Sequence, residues 1–180
     1  KDGHYVWFST KGSIFKTKSG GRKALLTTRD ITIQKKLQDE LRESEEKFRT
    51  VFESSSDGMA IADVQTKKFI EVNSQFCKYT GYSRKELLRM NLLKIHPKKS
   101  LPYVLNEFRL QSKEKKTLAE DIPVLRKDGK VVYADVNAAI IKFNQKVCLL
   151  GIFRDVTYRR KMEEKLRIFQ SYVENANDLI

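Results

Sequence analysis

Residues Ala119–Thr157, AEDIPVLRKDGKVVYADVNAAIIKFNQKVCLLGIFRDVT, decide the fold. They read as three strands joined by two turns, the first at Asp128-Gly129, where glycine tolerates positive φ, and the second at Asn144-Gln145. Along the middle strand Val132, Ala134, Val136, Ala138 and Ile140 fall on one face, and Tyr133, Asp135 and Asn137 on the other. The apolar face is expected to turn inward. Upstream, GMAIAD (58–63) and KFIEVN (68–73) read as two short strands with the polar break DVQTKK between them. SQFCKYTGYSRKELLRM (74–90) and PKKSLPYVLNEFRLQSK (97–113) follow, and their Phe76, Tyr79, Leu87, Leu88, Val104, Leu105 and Phe108 recur at helical spacing. Two strands, a helical block and three strands cannot make an alternating parallel α/β sheet. The compact solution is an α+β fold, an antiparallel sheet with helices packed on one face.

Composition bounds what such a fold does. The 180 residues suit one domain of ordinary size with additional pieces. No run approaches the roughly eighteen apolar residues of a membrane span, so the segment reads as soluble. It opens on KDGHYVW, without an initiator Met or a targeting pattern, and so reads as a piece excised from a longer protein. Cys77 and Cys148, far apart, fit reduced thiols in a cytosolic compartment, acting as small buried hydrophobes. A net charge of +13 invites a nucleic-acid reading. Its dispersal in small groups (Lys98-Lys99, Lys113 with Lys115-Lys116, Arg159-Arg160-Lys161) and the lack of any nucleic-acid-binding motif favour a solvated lysine-rich surface.

Internal repetition changes the organisation. RDIT (29–32) recurs as RDVT (154–157), KDG at Lys1 recurs at Lys127, and Leu41-Arg42 recurs at Leu166-Arg167, all about 125 residues apart. FRTVFESSSDGM from Phe48 aligns with FQSYVENANDLI from Phe169 at a slightly shorter offset. The chain therefore reads as the end of one unit, a complete second unit and the start of a third. Each RD(I/V)T precedes an amphipathic stretch with a narrow stripe: Ile33, Leu37, Leu41 and Phe48 in the first, Met162, Leu166, Phe169 and Val173 in the second. Such a stripe packs on a sheet or pairs with a second chain, though under three heptads it is marginal alone. Thr32 and Thr157 are placed as helix N-caps, with Asp30 and Asp155 adding an anchoring hydrogen bond.

FESSSDGMAIAD, EVNSQFCKYTGYSRKELL, IHP (95–97), RKDGKVVYADV and GIFRDVTYRRKMEEKL, in this order, give residues 46–157 a resemblance to the PAS domain, a sensory module of signalling proteins. The resemblance implies a five-stranded antiparallel sheet in the order 2-1-5-4-3, with helices over one face enclosing a small cavity and amphipathic connector helices flanking the domain. It implies closing strands of a preceding unit over 1–32, a connector over 33–47, a complete domain over 48–157, a second connector over 158–168 and the start of a following unit over 169–180. It also implies a homodimer, with Leu37, Leu41, Met162 and Leu166 as connector contacts, and signal coupling through Asp30, Thr32, Asp155 and Thr157. The parent would be a multi-PAS sensor histidine kinase of a two-component system, or alternatively a diguanylate cyclase.

Pocket candidates on this resemblance are Phe76, Leu105, Phe108, Ala134, Val136, Ala138, Leu149, Gly151 and Phe153. The small residues Ala134, Ala138 and Gly151 leave room for a small-molecule ligand or serve tight packing against helices, and packing is favoured. No polar inward group is evident. RMNLLKIHP has Leu92 where flavin-binding light sensors of the family carry a reactive cysteine, which argues against cysteinyl-flavin photochemistry. The helix before the third strand lacks the axial histidine of heme-binding members, and His96 sits in an ordinary setting, which argues against heme. No phosphate-cradling loop, catalytic triad or metal cluster is present, nor the phosphoacceptor histidine or ATP motifs of a kinase, so the segment itself is expected to be non-enzymatic.

Overall fold

The computed structural model describes residues 5–143 and 145–177, with side chains to residue 171. Lys1, the turn residue Asn144, the Val173 side chain and the last three residues of the expected following unit lie outside the described residues. The chain divides into two units, Lys1–Val51 and Phe52–Ile180.

In the first unit β1 (Phe8–Lys16) and β2 (Arg22–Asp30) form an antiparallel hairpin, paired from Phe8 with Asp30 to Lys16 with Arg22. Both faces are exposed, including Ile14, Phe15, Leu25 and Leu26. Helix α1 (Thr32–Ser54) follows, and the stripe Ile33, Leu37, Leu41 and Phe48 is exposed along it. The helix runs unbroken through the expected junction at 47–48, so the 33–47 segment is part of a longer element.

The second unit is built on a five-stranded antiparallel sheet of β3 (Gly58–Asp63), β4 (Phe69–Val72), β5 (Leu118–Leu125), β6 (Val131–Phe143) and β7 (Lys146–Asp155). Its order, β4-β3-β7-β6-β5, is the expected 2-1-5-4-3 counted from β3. On β6 the alternation holds: Ala134, Val136 and Ala138 are buried while Asn137 is exposed. Strand β3 shows no such alternation because both of its faces are covered. Ala60 and Ala62 join the core beneath the helices, while Ile61 joins Phe52 and Cys148 in a second apolar cluster. Pro123 is tolerated in β5 because that strand lies at the sheet edge, where a missing N–H breaks no inner ladder.

The first helical stretch is two helices, α2 (Ser74–Thr80) and α3 (Arg84–Leu87). Gly81 ends α2 with φ of 78°, a left-handed conformation that favours glycine, and Ser83 opens α3 with a capping box to Glu86. Lys127 reaches the same Glu86 at 2.7 Å and, with the Ser83 amide and hydroxyl, holds this carboxyl down to about 2. Short 3₁₀ turns at Leu92–Ile95 and Lys98–Ser100 lead into α4 (Leu101–Gln111), which has Pro102 in its first turn. The final helix, α5 (Thr157–Asn177), extends beyond the expected connector at 158–168. Tyr158, Met162, Leu166 and Phe169 are exposed on it. Among the described residues no helix is long and apolar enough to cross a membrane.

Candidate functional site

Between the helices and the sheet lies a cavity of about 60 Å³. Its apolar wall includes the candidates Phe108, Val136, Ala138, Leu149, Gly151 and Phe153. Phe76, Leu105 and Ala134 are not on that wall. Phe76 is fully buried between Phe69 and Phe153, with ring centroids 5.6 and 4.8 Å away, so it supports two wall residues from behind. Ala134 is buried in the core under the helices, and Leu105 is half-buried on α4. Gly151 is needed by close approach, because a Cβ there would stand 3.0 Å from Cε2 of Phe153.

The expectation of a cavity without polar inward groups is corrected. His96, Glu107 and Gln111 all line it, and each is only about 5–6% exposed. Val104, Glu107, Phe108 and Gln111 share one face of α4 at spacings of three and four, so the signal was in the helical period. A stripe counted from apolar residues alone passes over the two polar members. Gln111 Nε2 donates to the carbonyls of Thr117 and Val136 at 3.0 and 2.9 Å, which ties α4 to the sheet. Lys116 Nζ meets Glu107 Oε2 at 2.7 Å, and that hydrogen bond raises the Lys116 ammonium above its ordinary range.

His96 Nδ1 lies 2.6 Å from the Pro123 carbonyl. Burial pushes the ring below its ordinary value of 6.5, and the bond to Pro123 only partly opposes this. The unfolded chain therefore binds a proton that the folded chain resists. The contribution of this neutral ring to stability is complete above pH 6.5 and is lost as pH falls from 6.5 toward the folded value. The urea midpoint is expected to fall between pH 7 and 5, with this group contributing at most about 1.4 kcal/mol per pH unit. His96→Gln should flatten that part of the profile, and an unchanged slope in the variant would refute the assignment.

The two RD(I/V)T joints have the same construction. At the second, Tyr133 N donates to Thr157 Oγ1 at 2.9 Å, Val156 N to the Tyr133 carbonyl at 2.9 Å, and Thr157 N to Asp155 Oδ1 at 2.8 Å. At the first, Trp7 N donates to Thr32 Oγ1, Ile31 N to the Trp7 carbonyl, and Thr32 N to Asp30 Oδ1, each at 2.8 Å. A cation covers the aromatic ring in both: Arg160 lies 3.9 Å from the Tyr133 centroid, and Lys35 lies 6.0 Å from that of Trp7. The threonine N-cap expectation is corrected, because each hydroxyl accepts from a distant backbone amide, that of Trp7 just before β1 and that of Tyr133 in β6. The aspartate carboxylate accepts from the helix-starting amide instead. The Thr32 hydroxyl and amide hold Asp30 below the usual carboxylate range. Arg159 adds contacts to Asp135 and Asp121 at 3.2 and 3.5 Å, tying the first turn of α5 to β6 and to the bulge in β5.

Comparison with known proteins agrees with this architecture. The chain is 31% identical over 136 residues to the methyl sulfide methyltransferase-associated sensor of Methanosarcina acetivorans, covering 76% of this chain and 14% of that protein. It is 32% identical over 146 residues to sporulation kinase E of Bacillus subtilis, covering 79% of this chain and 19% of the kinase. The chain thus spans less than a fifth of the length of either relative. The solved PAS domain of an HTR-like protein from Haloarcula marismortui has the same fold, with a TM-score of 0.58 and 23% identity, over 67% of this chain and 98% of that one. The family model described as PAS fold matches residues 46–156, and with the strand order and the cavity beneath the helices in place, the chain belongs to the PAS family.

Proposed function

We propose that this chain is a sensory and signal-relay section of a multi-PAS protein, a cytoplasmic input to a sensor histidine kinase, which dimerises through the exposed stripes of α1 and α5. The β1–β2 hairpin would close a preceding PAS unit, the complete domain would run over 48–157, and a following unit would start near Phe169. The observation that carries the reading is the duplicated joint, in which the same set of contacts links a strand pair to the next helix twice in one chain. A line of direct contacts supports the direction of transfer. His96 on the cavity wall bonds Pro123, Pro123 pairs with Tyr133 across β5 and β6, and Tyr133 bonds Thr157 at the start of α5.

Transfer needs two arrangements of α5 whose populations a signal biases. Removing both side chains of the latch, at about 1 kcal/mol per hydrogen bond, is enough to shift such a balance several-fold. Asp155→Ala with Thr157→Ala in the full-length protein should reduce the stimulus response about tenfold while the protein remains folded. A response equal to wild type would leave the domain as a passive dimerisation scaffold.

A further inference from the structure

We infer that the cavity selects a small ligand that donates hydrogen bonds from a short apolar body, an alkylammonium or alcohol, and refuses anions. The inference rests on the sensory reading of the domain and adds the chemistry of what is sensed. It follows from accounting for every polar atom of the three buried side chains on the wall. The Pro123 carbonyl oxygen cannot approach a ring nitrogen to 2.6 Å unless that nitrogen carries the proton, so His96 Nδ1 is the donor. In the neutral ring Nε2 is then a lone-pair acceptor, and it makes no hydrogen bond among the described residues. Gln111 uses both amide hydrogens on the Thr117 and Val136 carbonyls, so its remaining capacity is its carbonyl oxygen. Glu107 faces Lys116 Nζ through Oε2 at 2.7 Å, and its carboxylate offers acceptor capacity only.

All the remaining capacity is therefore acceptor capacity. An entering carboxylate or phosphate would find three lone-pair groups and no donor, and would lose its hydration without replacement. A ligand with an N–H or O–H group satisfies acceptors that the protein leaves open, and a cation gains further from the Glu107 carboxylate. Size favours a compact ligand, since the cavity is only about 60 Å³. The rest of the wall, from Ala138 and Leu149 to Phe153, is apolar and suits a methyl or ethyl group.

Ethylamine, ethanol and acetate are all compact, each with one methyl group, and differ chiefly in the polar group they present. Each is titrated into the 180-residue chain at pH 7.5, with binding read from the methyl NMR signals of Val136, Ala138 and Leu149. Ethylamine is expected to saturate these shifts with a dissociation constant on the order of millimolar, set by its few atoms. Ethanol should bind more weakly and acetate should leave the signals unmoved. Glu107→Gln, which keeps the shape and removes the charge, should weaken ethylamine about tenfold and leave ethanol within about twofold. Acetate binding as well as ethylamine, or failure of both ethylamine and ethanol to move the signals, would overturn the assignment. Neither result bears on the joint at α5, whose test is the response of the full-length protein.

Discussion

Asn73→Ala is expected to lower the unfolding free energy by about 4 kcal/mol. The side chain is completely buried, and all of its hydrogen-bonding capacity is used. Nδ2 donates to the carbonyls of Phe52 and Asp57 at 3.0 and 3.1 Å, and Oδ1 accepts from the amides of Met59 and Phe76 at 2.8 Å each. One amide group thereby joins the last turn of α1, the loop before β3, the first residues of β3 and the start of α2. Alanine leaves these backbone groups in a space closed to bulk water, where each unsatisfied one costs about 1–3 kcal/mol less any rearrangement. Asn73→Asp separates hydrogen bonding from volume. The carboxylate keeps the shape and the two acceptor bonds, but it faces the Phe52 and Asp57 carbonyls without a donor. It should destabilise at least as much as alanine at pH 7. Urea unfolding followed by circular dichroism measures both, and a loss under about 1.5 kcal/mol for alanine would show that this junction is not held by the side chain.

Phe76→Ala should cost a similar amount, about 4 kcal/mol, and should also change the cavity. Phe76 is fully buried, with Phe69 edge-on to one side and Phe153 tilted against the other. Both neighbours line the cavity, so truncation removes their support as well as about six carbons' worth of contacts. If Phe153 falls into the vacated space, the cavity enlarges toward α2 and the stability loss lies at the lower end of the range for such truncations. If it stays, the loss lies at the upper end. Phe76→Leu should recover more than half of the stability. A crystal structure of the alanine variant together with its urea midpoint tests the link: a cavity of unchanged volume, with Phe69 and Phe153 unmoved and stability within 1 kcal/mol of wild type, is the outcome that denies it.

The sheet was legible because its signals are local. Alternation along Val132 to Ile140, the Asp128-Gly129 turn and the succession of strands around a helical block point to an antiparallel sheet without reference to distant residues, whereas the strand order came from the resemblance to the PAS domain. The division of the first helical stretch was written just as locally, in Gly81 and in the Ser83-Glu86 box. The site was less legible, for two physical reasons. Glu107 and Gln111 carry polar side chains on the buried face of α4, and hydrophobic periodicity has no place for a residue that is inward and polar. The partners of Thr32 and Thr157 lie 25 and 24 residues upstream, so a local pattern suggested helix capping where the fold supplied a distant backbone amide. Asn73 shows the same limit. In EVNS it reads as a strand end, and its three further partner segments become neighbours only after folding.

The attachment of α5 to the sheet also has a mechanical side. Tyr133 receives the joint on both of its backbone groups: its amide donates to Thr157, and its carbonyl accepts from Val156. Any load that pulls α5 from the sheet therefore falls on both bonds at once. The helix is thus fastened to β6 within its first turn, while from residue 161 to residue 171 its side chains are exposed to solvent.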